Sequence, residues 1–418
     1  MKKHLLHFVF TVFSCYCTAQ DLDYAKSVID TLTSPGMHGR GYVYGGNKIA
    51  AKFIEDGFKI NGLKPFGDSY LQEFTLPVNT FPGEMEILID KNILKPGVDY
   101  LVAPYSKSYL GNFNLFWFDE LVLMEEKELA RFLKKSDAFK FIVIDKSEIE
   151  KGEELKLFQA TIFSFNAKGI VVISDNLTWG LSQKTEKLPV IEILRKNISR
   201  DSKSININIE NQFLENDTTQ NVIGFVEGAQ IPDSFIVFSA HYDHLGRIGK
   251  DTWFPGANDN ASGTAMLLNL ARHYAENPTK YSIVFIAFGA EEVNLLGSEY
   301  YTNNPLFPLS KIKFLINMDL MGTGDEGVTI VNGAVLEDEF NTLVDINKQK
   351  QYLVEIKKRG KAANSDHYHF SERRIKAFFI YTMGGIKAYH DVYDKAETLP
   401  LTEFEDVFRL LVDFVETF

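Results

Sequence analysis

From residue 221 onward, short apolar runs alternate with stretches whose apolar positions recur every three to four residues. Residues 235–240, 282–288, 313–318, 328–332 and 377–382 are near-continuous apolar runs, which predicts strands buried on both faces. Residues 261–275, 296–301, 337–350 and 401–417 carry helical spacing and fall between or after those runs. Strands alternating with helices predict an α/β unit, a mixed, mostly parallel sheet with helices on both faces.

Helical spacing also predicts helices over 24–32 and, more clearly, 46–62, where Ile49, Ala50, Phe53, Ile54, Phe58 and Ile60 recur. A glycine-rich loop, Met37, His38, Gly39, Arg40 and Gly41, lies between them. Residues 76–217 differ in texture. Short β-type runs at 141–144, 169–174 and 188–193 are separated by charged stretches such as 146–154, with no cluster of histidines or acids. They predict an inserted β-rich α+β accessory domain, leaving 20–75 and 218–418 as the principal domain.

Residues 1–19 read as an export signal. Met1, Lys2, Lys3 and His4 give a positive start, residues 5–16 are largely apolar, and Cys17, Thr18 and Ala19 offer small residues for cleavage before Gln20. The plainer alternative, a buried first helix, fits less well with the two leading lysines and the abrupt switch to Asp21, Leu22 and Asp23. A lipid anchor at Cys15 or Cys17 lacks a supporting flank. A transmembrane span needs about 20 apolar residues, and nothing later supplies one. The expectation is an exported protein, periplasmic or secreted, without a membrane span.

Composition narrows the chemistry. The 418 residues are 45% hydrophobic and 24% charged, ordinary for a globular chain of two or three domains. A net charge of −12 repels phosphate backbones and argues against a nucleic-acid partner. Both cysteines, Cys15 and Cys17, fall inside the export signal, so the mature chain has no thiol. A cysteine nucleophile, a disulfide framework and a thiolate zinc site are excluded. Any metal must be held by His, Asp and Glu.

Candidates of that kind follow the strand runs. His241, Tyr242 and Asp243 follow 235–240, Glu291 and Glu292 follow 282–288, and Asp319 closes 313–318. Asp259 lies in the loop 256–263, and His390 in the loop after 377–382. Open α/β sheets bind ligands beyond the carboxyl ends of their strands, so these groups are expected to converge on one crevice. Two imidazoles and three carboxylates suit two divalent ions sharing one bridging carboxylate. The other acid of the Glu291–Glu292 pair is then free to move a proton. Asp243 is placed to accept the second N–H of His241 and fix its tautomer. Singly, each signal is weak: a loop Asp is usually solvated surface, and a Glu pair is usually a helix start. His244 and His273 read as surface residues, and His367 and His369 as outside the cluster.

As an ordered set, these stretches resemble the zinc aminopeptidases of peptidase family M28. The matching residues are 241–246, 256–263, 285–297, Asn317 to Asp319, and Tyr389 with His390; 37–40 and 62–65 are similar to that family's amino-terminal segment. The resemblance covers 21–75 and 218–418. It implies the zinc exopeptidase fold and Zn2+, two per chain, with His241 and Asp319 on one ion, Glu292 and His390 on the other, and Asp259 bridging. It further implies Glu291 as general base, Tyr389 as a helper to the oxyanion, and peptide substrates. Ser365, Asp366 and His367 are similar to a recurring stretch of the family, although His369 stands where Pro is common. The insert resembles a protease-associated domain.

Other readings remain beside this one. Carboxypeptidases, dipeptidases and a glutaminyl cyclase share the fold, though a cyclase usually keeps a single metal. A non-catalytic binding protein would typically have lost a ligand or the base, and none is missing. A metallo-β-lactamase-type site needs two further histidines just upstream of His241, where 237–240 supplies none. A serine hydrolase lacks its Gly-x-Ser-x-Gly elbow.

Overall fold

The computed structural model describes residues 21–118, 140–145 and 166–418, together with Lys127, Arg131 and Ser147. The expected export signal, residues 1–19, lies outside the described residues, as does most of 146–154. The first helix, α1 (Leu22–Thr33), is opened by Asp21, whose side chain accepts the N–H of Tyr24. It buries Ala25, Val28, Ile29 and Leu32, and α2 (Gly46–Ile60) buries Ala50, Ala51, Ile54 and Phe58. Both stripes follow the 3.6-residue period of a helix that covers a core with one face.

After α2 the chain forms β1 (Leu71–Thr80), then β2 (Met85–Ile89), β3 (Asn92–Leu94), β4 (Tyr100–Val102) and β5 (Tyr109–Trp117). Next come β6 (Lys140–Asp145), β7 (Gly169–Ser174), β8 (Val190–Leu194) and β9 (Ser204–Ile209), and the chain returns along β10 (Gln212–Val226). Strands β2 to β9 make a sheet of their own, in the order β3-β2-β9-β5-β6-β7-β8-β4. Its core, around Phe141, Val143, Val171, Ile191 and Ile207, also takes in Leu245, Ile248, Phe254 and Val392 from loops of the other sheet. Strands β1 and β10 pair antiparallel from Leu71 opposite Val222 out to Thr80 opposite Gln212.

The remaining elements are β11 (Ile231–His241), the short pair β12 (Arg247–Ile248) and β13 (Thr252–Trp253), α3 (Gly263–Glu276), β14 (Tyr281–Phe288), α4 (Leu296–Asn303) and β15 (Ile312–Met318). They are followed by β16 (Val328–Val331), α5 (Glu337–Lys350), β17 (Ile356–Lys358), α6 (His367–Glu372), β18 (Ala377–Thr382) and α7 (Phe404–Val415). Together with β1 they complete a mixed sheet in the order β1-β10-β14-β11-β15-β18-β16-β17. The central four, β14-β11-β15-β18, are parallel, while β10 and β16 run antiparallel to this block. The expected parallel character therefore holds at the centre, and the direction reverses toward the edges.

Side-chain alternation along β11 divides the two faces. Ile236, Phe238 and Ala240 join a core shared with α1, α2, α3, α5 and α7, whereas Phe235 and Val237 pack with Tyr301 of α4 and Phe370 of α6. Each such side chain contributes about 1.5–3 kcal/mol by burial. That double cover keeps the four parallel strands in register and fixes where their carboxyl ends emerge.

Candidate metal centre

Those carboxyl ends carry the candidate residues. His241 is the last residue of β11, Asp319 follows β15 directly, and Glu291 and Glu292 follow β14 after the turn at Gly289 and Ala290. Asp259 sits in an irregular turn, Ala257–Ser262, that runs into α3, and His390 lies in the loop beyond β18. Gly256 opens that turn at φ +57°, and a Cβ there would lie 2.2 Å from the Asp259 carbonyl oxygen, so no larger residue fits.

Asp259 stands between the two histidines. Its Oδ1 lies 3.3 Å from His241 Nε2, and its Oδ2 lies 3.1 Å from His390 Nε2. Each imidazole meets a second carboxylate through the same nitrogen, Asp319 Oδ2 at 3.3 Å for His241 and Glu292 Oε2 at 3.2 Å for His390. The structure therefore brings together His241, Asp259, Glu292, Asp319 and His390. His367 packs against Phe379 and His369 against Tyr368, and neither joins the group.

Three expectations need correction. His244 is not a surface residue: it is fully buried, with Nδ1 2.7 Å from Glu292 Oε1. The turn that follows β11 carries it inward, over the carboxylates, where an imidazole has a partner. Asp243 does not receive the His241 N–H on its carboxylate, which is 3.9 Å away; His241 Nδ1 meets the Asp243 backbone carbonyl at 3.1 Å instead. The carboxylate accepts the backbone N–H groups of Glu291 (3.1 Å) and Glu292 (3.3 Å). Asp243 thus orients the Glu pair. His273, also expected at the surface, is half-buried against Tyr274 and Phe408.

Three residues that sequence reasoning did not single out hold the centre in place. Arg40 is fully buried and donates to the carbonyls of Tyr242, Leu32, Pro255, Gly256 and Asp259. From the opposite side the Asp394 carboxylate accepts the N–H groups of Asn258 (2.8 Å) and Asp259 (3.0 Å). The turn bearing Asp259 is gripped between them. Trp179, between β7 and β8, offers its carbonyl oxygen to His390 Nδ1 at 2.9 Å. Only Arg40 left a trace in the sequence, as the lone charge in a glycine-rich loop.

Negative charge dominates the site. Asp243, Asp259, Asp319, Asp366 and Asp394 are buried, with Glu291 and Glu292 beside them. Asp319 Oδ1 has no hydrogen-bond partner among the described residues. Burial pushes the pKa values of Asp243, Asp366 and Asp394 up to about 7. Burial also raises Glu291 well above the usual carboxylate range, and the charges of Glu292, Asp366 and Asp319 add to that while His241 opposes it. For Asp259 burial acts upward too, but hydrogen bonds from His241 and His390 outweigh it and hold its carboxyl well below that range. On His390 burial acts downward, yet Glu292 and Asp259 push it up to about 11. The carboxylates around His241 and His390 thus call for positive charge, which bound cations would supply.

Arg40 lies close enough for its charge to act on Asp259, Asp394, Asp243 and Glu292, but it offsets that charge only in part. Every Arg40 hydrogen bond described above goes to a backbone carbonyl. Buried carboxylates without compensation are costly, and divalent cations held by imidazole nitrogen and carboxylate oxygen compensate them directly. With N and O donors and no thiolate, the donor set fits zinc.

Residues 221–415 match the model of peptidase family M28. Aminopeptidase YwaD of Bacillus subtilis is 28% identical over 252 residues, 58% of this chain and 53% of that protein. A probable zinc metalloprotease of Pyrenophora teres is 34% identical over 114 residues, 26% of this chain and 24% of that protein. The mouse aminopeptidase NAALADL1 is 33% identical over 123 residues, 28% of this chain and 15% of that protein. The chain thus spans about half the length of the first relative and about a quarter or less of the others. Among solved structures, BSAP, a zinc aminopeptidase from Bacillus subtilis, superposes with a TM-score of 0.72 at 20% identity, covering 95% of each chain. A peptidase M28 precursor from Shewanella amazonensis gives 0.71 at 17% identity, covering 96% of this chain and 94% of that one. At such identities the likeness establishes the fold.

Proposed function

We propose that this chain is an exported aminopeptidase that holds two zinc ions and removes the amino-terminal residue from peptides. In this reading the principal domain comprises 20–75 and 218–418, with 76–217 as an inserted accessory domain. One observation carries the proposal: the two oxygens of Asp259 face different histidines, and each histidine has a carboxylate of its own. His241 and Asp319 would hold one ion, His390 and Glu292 the other, with Asp259 shared. His244 also touches Glu292, but its contact is a single hydrogen bond, whereas His390 Nε2 meets both Glu292 and the shared Asp259.

When bound, such an ion pair polarises the scissile carbonyl and lowers the pKa of water toward neutrality. The residues around it divide the remaining work. Glu291 takes a proton from the attacking water and passes it to the departing amine. Asp243 keeps Glu291 and Glu292 oriented through their backbone amides. Tyr389 stacks on His390 with ring centroids 4.1 Å apart, and its hydroxyl donates to the oxyanion. Burial and the neighbouring carboxylates raise the Tyr389 pKa, which keeps that proton in place at neutral pH.

The charge balance favours an amino-terminal over a carboxy-terminal substrate group. Excess carboxylate attracts a protonated α-amine, and Arg40 is occupied by backbone carbonyls and unavailable to a peptide carboxylate. The test compares free-amine aminoacyl anilides with their acetyl-blocked counterparts, using zinc-loaded protein from Gln20 onward, before and after chelation. Cleavage of the free-amine set alone, abolished by chelator and restored by zinc, is expected. Two bound zincs without any anilide cleavage would sink the aminopeptidase reading and direct attention to carboxypeptidase or dipeptidase substrates.

A further inference from the structure

Unlike His241 and Asp319, His390 is not carried at the end of a central strand. It lies in the loop after β18 at φ +53°, a left-handed conformation uncommon for a residue with a Cβ. Its side chain is 19% exposed against 1% for His241. Its hold comes from the other sheet's part of the chain. His390 Nδ1 meets the Trp179 carbonyl oxygen at 2.9 Å, and the Trp179 N–H donates to the His390 carbonyl, also at 2.9 Å. The imidazole proton is thereby committed to Nδ1, leaving Nε2 bare toward Asp259 and Glu292.

Trp179 is itself anchored on two sides. Its indole N–H donates to the carbonyl of Val102 in β4 at 2.7 Å, and its ring stacks on Phe254, 5.0 Å away, just before Pro255 and Gly256. The segment then runs on toward the Glu pair. Leu181 packs in a cluster with Ala290 and Val293, and Gln183 accepts from Asn294 at 3.1 Å. Among the described residues, His241 and Asp319 have no such tie. His241 is oriented by the Asp243 carbonyl, and the Asp319 N–H donates to the carbonyl of Ile380 in β18.

We infer that segment 177–183 acts as a strap that completes one half of the centre, with Trp179 as the positioning residue for His390. The inference rests on the two-metal reading above. Its consequence is selective: loosening Trp179 weakens the ion held by His390 and Glu292 and spares the one held by His241 and Asp319. Groups that hold a metal-binding imidazole by its other nitrogen typically govern about 10–100-fold in metal affinity.

The test measures zinc per chain by elemental analysis across a series of buffered free-zinc concentrations, with circular dichroism to confirm folding. Wild type and Leu110→Ser, a change at an exposed position of β5, are expected to bind two zincs with the same pair of affinities. Trp179→Ala should retain one affinity and lose about 10–100-fold in the other. Trp179→Phe, which keeps the stacking and lacks the indole N–H, should fall between them. In a His390→Ala background Trp179→Ala should add nothing, whereas in a His241→Ala background it should weaken the remaining zinc. Two unchanged affinities in Trp179→Ala, or an equal loss at both, would overturn the inference. If that variant does not fold, an unchanged weaker affinity in Trp179→Phe overturns it equally. Wild type binding a single zinc would sink the two-metal reading itself, and this inference with it.

Discussion

His241 and His390 approach the same carboxylate from opposite sides, yet they are held by different kinds of structure. His241 ends a central strand covered on both faces, and its partner Asp319 begins where the neighbouring parallel strand stops. The spacing of that pair comes with the sheet register. His390 and Glu292 sit on loops, and their geometry depends on contacts with residues far away in sequence, 211 positions in the case of Trp179. A ligand at a strand end is positioned by the core that folds the protein. A candidate ligand on a loop needs its own support, and for His390 that support comes from a segment outside the main sheet.

The comparison can be broken at its shared member. Asp259→Ala removes the carboxylate common to both halves, so zinc content should fall from two per chain toward none and anilide hydrolysis to background; retention of one tightly bound zinc would show that the halves are independent. Glu291→Gln should leave both ions in place and lower kcat by about 10²–10⁴-fold, which separates the proton carrier from the ligands. Timed chelation followed by a zinc indicator should resolve two phases, the faster from the more exposed His390 side, and Trp179→Ala should accelerate that phase alone. A single phase would mean that the two halves release metal together. Tyr389→Phe should have the smallest effect. Loss of a buried oxyanion donor costs roughly 10²–10³-fold, but the Tyr389 side chain is half exposed and solvent can replace it, so about tenfold in kcat with unchanged zinc content is expected.

The same contrast explains what the sequence revealed. Apolar strand runs ending in His241 and Asp319 were legible because burial on both faces writes a continuous apolar code, and a polar residue just beyond it stands out. Strand boundaries such as 377–382 and the helix at 337–350 follow from the same periodicities. The ribbon β1–β10 did not emerge. Phe74, Leu76 and Val78 alternate as a one-sided strand should, but Pro77 interrupts them, and the first half of β10 is largely polar because it extends beyond the double cover of helices. The burial of His244 is not legible because a histidine three residues beyond His241 carries no pattern that tells burial from exposure. Arg40, Asp394 and Trp179 act through backbone groups of distant residues, and a backbone carbonyl leaves no mark on the sequence that binds it.

The pairing of Thr80 with Gln212 has a consequence for how such a molecule can be assembled and taken apart. Where a strand leaves a sheet and another returns beside it, the two ends already stand at hairpin distance, and a two-residue turn suffices to join them. By chain geometry, everything between them is a removable appendix, and an excision would leave a continuous β1–β10 hairpin. By dependence it is nothing of the kind. Leu245, Ile248, Phe254 and Val392 would lose their apolar cover, and the His390 imidazole its acceptor. A stretch of chain that is topologically simple to remove is thus costly to lose, and an excised protein would be expected to keep its mixed sheet while His390 loses the support that positions it.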